Sequence, residues 1–235
     1  PWNEPPADIW TMTVDPAFAP DEAAYVEIGF TAGVPTSLDG EQLSVAELVA
    51  KLNAIAGANG YGRIDMIENR YVGLKSRECY EVPAGLALIA AHKALEDLCL
   101  ERDVLHYKLS LEQTWADQVY NGRWFSPLKE ALDAFMADTQ AALTGVVKLK
   151  FYKGSCVVVG RKSAAALYDQ SLATYDNDDA FDQKAAKGFI DIQGLSLKTW
   201  ATKKTEVASA TAAAALKLDV VMGSAEPVLA DAVNY

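Results

Sequence analysis

The chain has 235 residues, 51% of them hydrophobic and 23% charged, with a formal net charge of −11. That length and balance suit a globular protein with a real core, and the negative charge argues against a nucleic-acid partner, whose phosphates call for Lys and Arg. Cys79, Cys99 and Cys156 lack the paired spacing of a structural zinc site, so no metal is expected, and no run approaches the ~20 apolar residues that span a bilayer.

The thiols read as reduced residues of a cytoplasmic protein. The polar, Pro-rich opening Pro1-Trp2-Asn3-Glu4-Pro5-Pro6 has neither an initiator Met nor a signal peptide. It reads as the start of a piece cut from something longer, and residues 1–22 as an extended connector. Tyr25 to Phe30 alternates, with Val26, Ile28 and Phe30 on one face of a strand. Gly33 and Pro35 interrupt it, and a return from Leu38 meets the turn signal Asp39-Gly40. Ser44 and Glu47 form a capping box. The helix that follows carries Val45, Leu48, Val49, Leu52 and Ile55 on one stripe and stops at Gly57, Asn59 and Gly60.

Gly62 to Tyr80 reads as strand, turn, strand, with Asn69 near the turn. Ala84 to Tyr107 reads as one long interior helix. His92 within it is expected to be a satisfied core histidine, and His106 to sit in its last turn, where a cation favours the dipole. A shorter helix with Leu111, Trp115 and Val119 ends at Asn121-Gly122. Ser126-Pro127 opens another, placing Leu128, Leu132, Phe135 and Met136 inward. Val146 to Tyr152 alternates as a strand and turns at Lys153-Gly154 into Cys156 to Val159, a hairpin. Ser163 is expected to cap a short helix through Tyr168. An acidic loop, Asp176 to Asp179, precedes a helical stretch near Phe189 and Ile192, and an Ala-rich helical tail follows. Helices and hairpins without regular strand–helix alternation make the fold class α+β.

Chemistry concentrates between Arg63 and Glu78, where Arg63, Asp65, Glu68, Arg70, Lys75, Arg77 and Glu78 surround a strand pair pinned by Ile64, Met66 and Ile67. Charged residues of this kind are usually a solvated face. Both signs close together on rigid elements also suit a free amino acid, which carries an ammonium and a carboxylate at once. Glu68 for the ammonium and the phenol of Tyr80 for a remaining polar end form a minimal set. The plainer alternatives are a turn salt bridge from Glu68 to Arg70 or Lys75, and Tyr80 as a boundary aromatic with a wet hydroxyl. A phosphate loop of the Gly-x-x-x-x-Gly-Lys type and a nucleophile constellation are both lacking in this sequence, so no catalytic residue is assigned.

The runs Leu52-Asn53-Ala54-Ile55, Gly60-Tyr61-Gly62-Arg63-Ile64-Asp65, Ile67-Glu68-Asn69-Arg70 and Lys75-Ser76-Arg77 with Tyr80-Glu81 resemble the C-terminal half of argininosuccinate synthase. Val119-Tyr120-Asn121-Gly122, Trp124-Phe125-Ser126-Pro127, Lys153-Gly154, Val159-Gly160-Arg161-Lys162-Ser163 and Phe181-Asp182-Gln183-Lys184 continue the likeness in order, to about Leu197. The resemblance implies a ligase that joins citrulline to aspartate, with ATP converted to AMP and pyrophosphate. It implies that Glu68 and Tyr80 bind citrulline. ATP and Mg²⁺ would be held by an N-terminal domain that precedes Pro1, together with the aspartate-binding residues.

The resemblance further implies that residues 23–197 are a substrate-binding and oligomerisation domain and that the assembly is a homotetramer. The helical tail of residues 198–235 lies beyond the likeness, and its Ala-rich segment from Ala208 to Leu218 is the candidate for the helix that in the family reaches across the tetramer. Glu78 and Cys79 depart from the Gly and aliphatic residue that many members carry there. The expectation is a half-enzyme inactive on its own. The rival is a stand-alone oligomerising amino-acid-binding module without catalysis.

Overall fold

The computed structural model describes residues 1–173 and 184–223. They fall into two units, Pro1–Asp169 and Gln170–Tyr235, where the sequence places the main division after residue 197. Both helices and antiparallel sheet are present, so the fold is α+β.

In the first unit the chain runs β1 (Ala24–Thr31), β2 (Val34–Leu38), β3 (Glu41–Gln42), α1 (Val45–Ala58), β4 (Arg63–Asn69), β5 (Lys75–Glu81), α2 (Pro83–Cys99), α3 (Arg102–Tyr120), α4 (Pro127–Gln140), β6 (Gly145–Tyr152) and β7 (Ser155–Ser163). Five strands form one antiparallel sheet in the order β3-β2-β1-β6-β7, while β4 and β5 pair only with each other. The alternation read in β1 and β6 sets the core. Val26, Ile28 and Phe30, with Val147, Leu149 and Phe151, are buried against Leu48, Leu52 and Ala56 of α1 and Ala84, Ala87, Ala91 and Leu95 of α2. Each such large side chain contributes about 1.5–3 kcal/mol of burial. The turns obey the hairpin rule, since Asp39-Gly40 and Lys153-Gly154 both hold left-handed φ (50° and 84°, 43° and 81°) across two-residue loops.

The Ser44–Glu47 capping box is formed in both directions, and Ser126 caps α4 with Pro127 in the first turn. Val45 and Leu128 lie outside the apolar stripes read for their helices, both being exposed.

Three expectations are corrected. Ala84 to Tyr107 is not one helix: α2 stops at Cys99, Leu100 is extended, and the Glu101 carboxylate caps α3 by accepting from the Asp103 and Val104 amides. His106 therefore lies near the start of α3 rather than in a last turn, and the dipole argument for it fails. No helix runs from Ser163 to Tyr168. The Ser163 hydroxyl donates to the Thr144 carbonyl and accepts from the Ala165 amide, which closes a turn at the end of β7.

Residues 1–22 contain two 3₁₀ turns, Ala7–Ile9 and Pro16–Phe18, and are strapped to the domain. The Glu81 carboxylate accepts from the amides of Thr11, Met12 and Thr13 and from the Thr13 hydroxyl, and the Val14 amide donates to the Gly57 carbonyl. The strap passes so close to α1 that a Cβ on Gly57 would collide with the Met12 carbonyl.

The second unit holds α5 (Gln170–Ala173), α6 (Ala185–Gln193) and α7 (Leu195–Gly223). Gly194 joins α6 to α7, its amide donating to the Ile190 carbonyl. The helical stretch read near Phe189 and Ile192 is α6. The acidic loop Asp176 to Asp179 lies outside the described residues. Among the described residues no helix is long and apolar enough to cross a membrane.

Candidate functional site

The β4–β5 ribbon sorts the charged cluster by strand period. Its register pairs Ile64 with Tyr80, Met66 with Glu78 and Glu68 with Ser76, so these six share one face and the intervening residues share the other. On the second face Arg77 clasps Asp65 through Nε at 2.8 Å and through a second guanidinium nitrogen. There the Arg77 hydrogen bond holds the Asp65 carboxyl below its ordinary value.

On the first face Glu68 and Tyr80 meet. The Tyr80 hydroxyl donates to Glu68 Oε2 at 2.7 Å. A second phenol, Tyr120, the last residue of α3, donates to Glu68 Oε1 at 2.6 Å. Arg70, in the loop that joins the two strands, lies 3.5 Å from Glu68 Oε1, bonds Glu78, and donates from Nε to the Ser76 hydroxyl at 2.9 Å. The other cation considered for Glu68, Lys75, donates to Asn69 Oδ1 instead. The Glu68 side chain keeps only 11% of its surface exposed.

The electrostatics follow from these contacts. The hydrogen bond from Tyr120, then that from Tyr80, pulls the Glu68 carboxyl below its usual value against the cost of burial, with a smaller push from Arg70. The same bonds raise both phenols above theirs. Glu68 is an anion and both tyrosines are protonated at neutral pH. An ionised carboxylate only accepts hydrogen bonds and each phenol has one proton. Both protons are spent on Glu68, so the remaining capacity of this corner is acceptor lone pairs, which suit a ligand group rich in N–H donors.

Tyr120 was not singled out from sequence. It stands in the Val119-Tyr120-Asn121-Gly122 run, whose helix-stop signal was legible, but nothing local announces a partner 52 residues away. Arg123, just beyond, donates to the Tyr71 hydroxyl at 3.3 Å and ties the same helix end to the ribbon loop.

Elsewhere in the unit a cavity of about 740 Å³ lies between α2, α3, α4 and the β1–β2 turn. Several of its polar groups are matched to each other. Buried Glu96 pairs with buried Lys108 at 2.9 Å and accepts from Gln140, and His92 bonds Gln140 at 2.8 Å and stands edge-on to Phe30. His92 is satisfied as expected, but it stands on this wall with 27% of its side chain exposed rather than in the core. The lining is otherwise largely apolar, so the donor-seeking chemistry of the ribbon face is not repeated there. Burial lifts the Cys156 thiol to about 11, which makes it a poor nucleophile. Among the described residues no group of three His, Cys, Asp or Glu is placed to hold a metal ion.

The family described as "Arginosuccinate synthase C-terminal domain" matches residues 1–200. The chain is 55% identical over 202 residues to the argininosuccinate synthase of Rubrobacter xylanophilus, covering 86% of this chain and 49% of that protein. It is 56% identical over 201 residues to that of Symbiobacterium thermophilum (86% and 50%) and 54% identical over 203 residues to that of Trichodesmium erythraeum (86% and 51%). It thus spans about half the length of these relatives, and from a match of this extent the chain belongs to the argininosuccinate synthase family.

Proposed function

We propose that this chain is the C-terminal part of a ligase that joins citrulline to aspartate with conversion of ATP to AMP and pyrophosphate, and that it contributes part of the citrulline site. The observation that supports this is the acceptor corner made by Glu68 with Tyr80, on one rigid ribbon face. A free amino acid presents an ammonium with three N–H donors, and an ionised carboxylate flanked by phenol lone pairs complements it in charge and in hydrogen-bond sense. Glu68 takes the ammonium, and Tyr80 both steadies Glu68 and accepts from the ligand.

On this reading the chain's residues bind and orient, and bond-making chemistry is not theirs. ATP and Mg²⁺, which activate the ureido oxygen, belong to an N-terminal domain, as does aspartate binding. The assembly is a homotetramer to which this domain contributes contacts.

The test is to supply the missing partner. This chain is joined to the N-terminal half of the Rubrobacter xylanophilus relative, and pyrophosphate release is followed with citrulline, aspartate, ATP and Mg²⁺. Release that requires both amino acids supports the ligase. A fusion that folds and binds ATP, yet binds citrulline without turnover, favours the stand-alone binding module instead.

A further inference from the structure

We infer that Tyr120 is a positioning residue of this site: from the end of α3 its hydroxyl fixes one carboxylate oxygen of Glu68, so that the oxygen shared with Tyr80 is presented to the ligand's ammonium. The inference rests on the reading of Glu68 and Tyr80 as the citrulline contact and adds a residue from a different element.

A glutamate's terminal torsion is broad and roughly two-fold, so a carboxylate held at a single oxygen can rotate. Here the two oxygens have separate donors, Tyr120 on Oε1 and Tyr80 on Oε2. Two donors on two oxygens define the plane of the group. The groups facing Glu68 are Arg70 from the ribbon loop, Tyr80 from β5 and Tyr120 from α3, while Glu78, on the same ribbon face, is paired with Arg70. Arg70 is divided among Glu68, Glu78 and Ser76, so its charge does not select either oxygen as sharply as a phenol does.

Tyr120 itself is well anchored. The Asn121 amide donates to the Asp117 carbonyl at 3.0 Å and the Arg123 amide to the Gln118 carbonyl at 2.8 Å, closing the helix end on either side of it. The Arg123–Tyr71 bond adds a second tie between this helix end and the ribbon. The consequence reaches the ligand class. With both phenol protons committed to Glu68, the corner accepts a primary ammonium with several donors and discriminates against an N-acylated amino acid, which offers one uncharged N–H.

The test uses a full-length protein with this chain as its C-terminal domain, and citrulline as the probe. Tyr120→Phe is expected to raise the citrulline KM roughly 2- to 12-fold, the worth of one hydrogen bond, with the KM for ATP and aspartate unchanged. Because Tyr120 acts through Glu68, adding Tyr120→Phe to Glu68→Gln changes KM by less than about twofold more. Equal effects in both backgrounds overturn the inference, as does a lower Tm with an unchanged citrulline KM, which marks Tyr120 as a tether of α3 only. If Glu68→Gln alone leaves the citrulline KM unchanged, the underlying reading fails and this inference with it. If Glu68→Gln acts and Tyr120→Phe does not, the inference alone fails. In this chain by itself, ¹³C titration of the Glu68 carboxyl supplies a reading independent of activity. Tyr120→Phe is expected to raise the midpoint more than Tyr80→Phe does, and an unmoved midpoint overturns the lock.

Discussion

The Thr13 hydroxyl donates to Oε1 of Glu81 at 2.6 Å, and with this bond the strap of residues 1–22 closes onto the ribbon that carries Glu68 and Tyr80. Arg63, directly opposite Glu81 in the strand register, donates to the same Thr13 through its side-chain oxygen and its carbonyl, and stacks over Trp10. The face of the ribbon that bears Arg63 and Glu81 is thus held by the strap, which leaves the face that bears Glu68 and Tyr80 for the candidate site.

A pH dependence follows from Glu81. Burial pushes its carboxyl up, but the bonds from Thr13, Met12 and Thr11 outweigh that and bring it from 4.5 down to about 2. A carboxyl depressed on folding adds stability that is full above its unfolded value and is lost as pH falls through its folded value. The Tm gap between the wild type and Glu81→Gln is therefore expected to be constant above pH 4.5 and to shrink to nothing near pH 2. A gap that persists unchanged at low pH would show that the carboxylate charge does not hold the strap.

Lys108 is the second stability prediction. It is buried with Glu96 at 2.9 Å and Glu112 at 2.8 Å, and although burial works against its charge the two carboxylates raise its pKa above the usual lysine value. Lys108→Met strands the buried Glu96 carboxylate and is expected to cost about 3–5 kcal/mol in urea unfolding. The double change Lys108→Met with Glu96→Gln is expected to recover much of that loss. If the single variant unfolds like the wild type, the pair is not the determinant that its burial suggests.

Without a nucleotide-binding partner domain, this chain is expected to release no pyrophosphate from ATP, citrulline and aspartate above background. It is also expected to self-associate, since Phe125, Trp124 and Leu128 form an exposed apolar group at the start of α4. Light scattering reads the second point. A species of 25.3 kDa alone at micromolar concentration would count against self-association, and steady turnover by the pure chain would sink the division of labour.

What could be read in advance was whatever the local pattern determines. Val26, Ile28 and Phe30 alternate because one face of β1 is buried, and Ser44 with Glu47 caps α1 through groups three residues apart. The break between α2 and α3 escaped because its cap is Glu101, a residue outside the usual Ser, Thr, Asp and Asn set. The strap escaped because Glu81 is satisfied mainly by backbone amides, which carry no side-chain signature. At the candidate site, Glu68 and Tyr80 lie on one hairpin, so their encounter was accessible from strand register, whereas Tyr120 arrives only when α3 folds back on the ribbon.

The most direct test of the proposed citrulline site is the citrulline KM of Glu68→Gln in a full-length protein carrying this chain, measured beside its Tm. The substitution keeps the shape and removes the charge proposed to face the ammonium. The expected result is a KM raised roughly 10- to 100-fold, the scale of one lost charge-assisted hydrogen bond, with the KM for ATP unchanged and a smaller rise for Tyr80→Phe. A citrulline KM and kcat both within about twofold of wild type, accompanied by a lower Tm, would contradict it and assign Glu68 to holding Tyr80, Tyr120 and Arg70 in place.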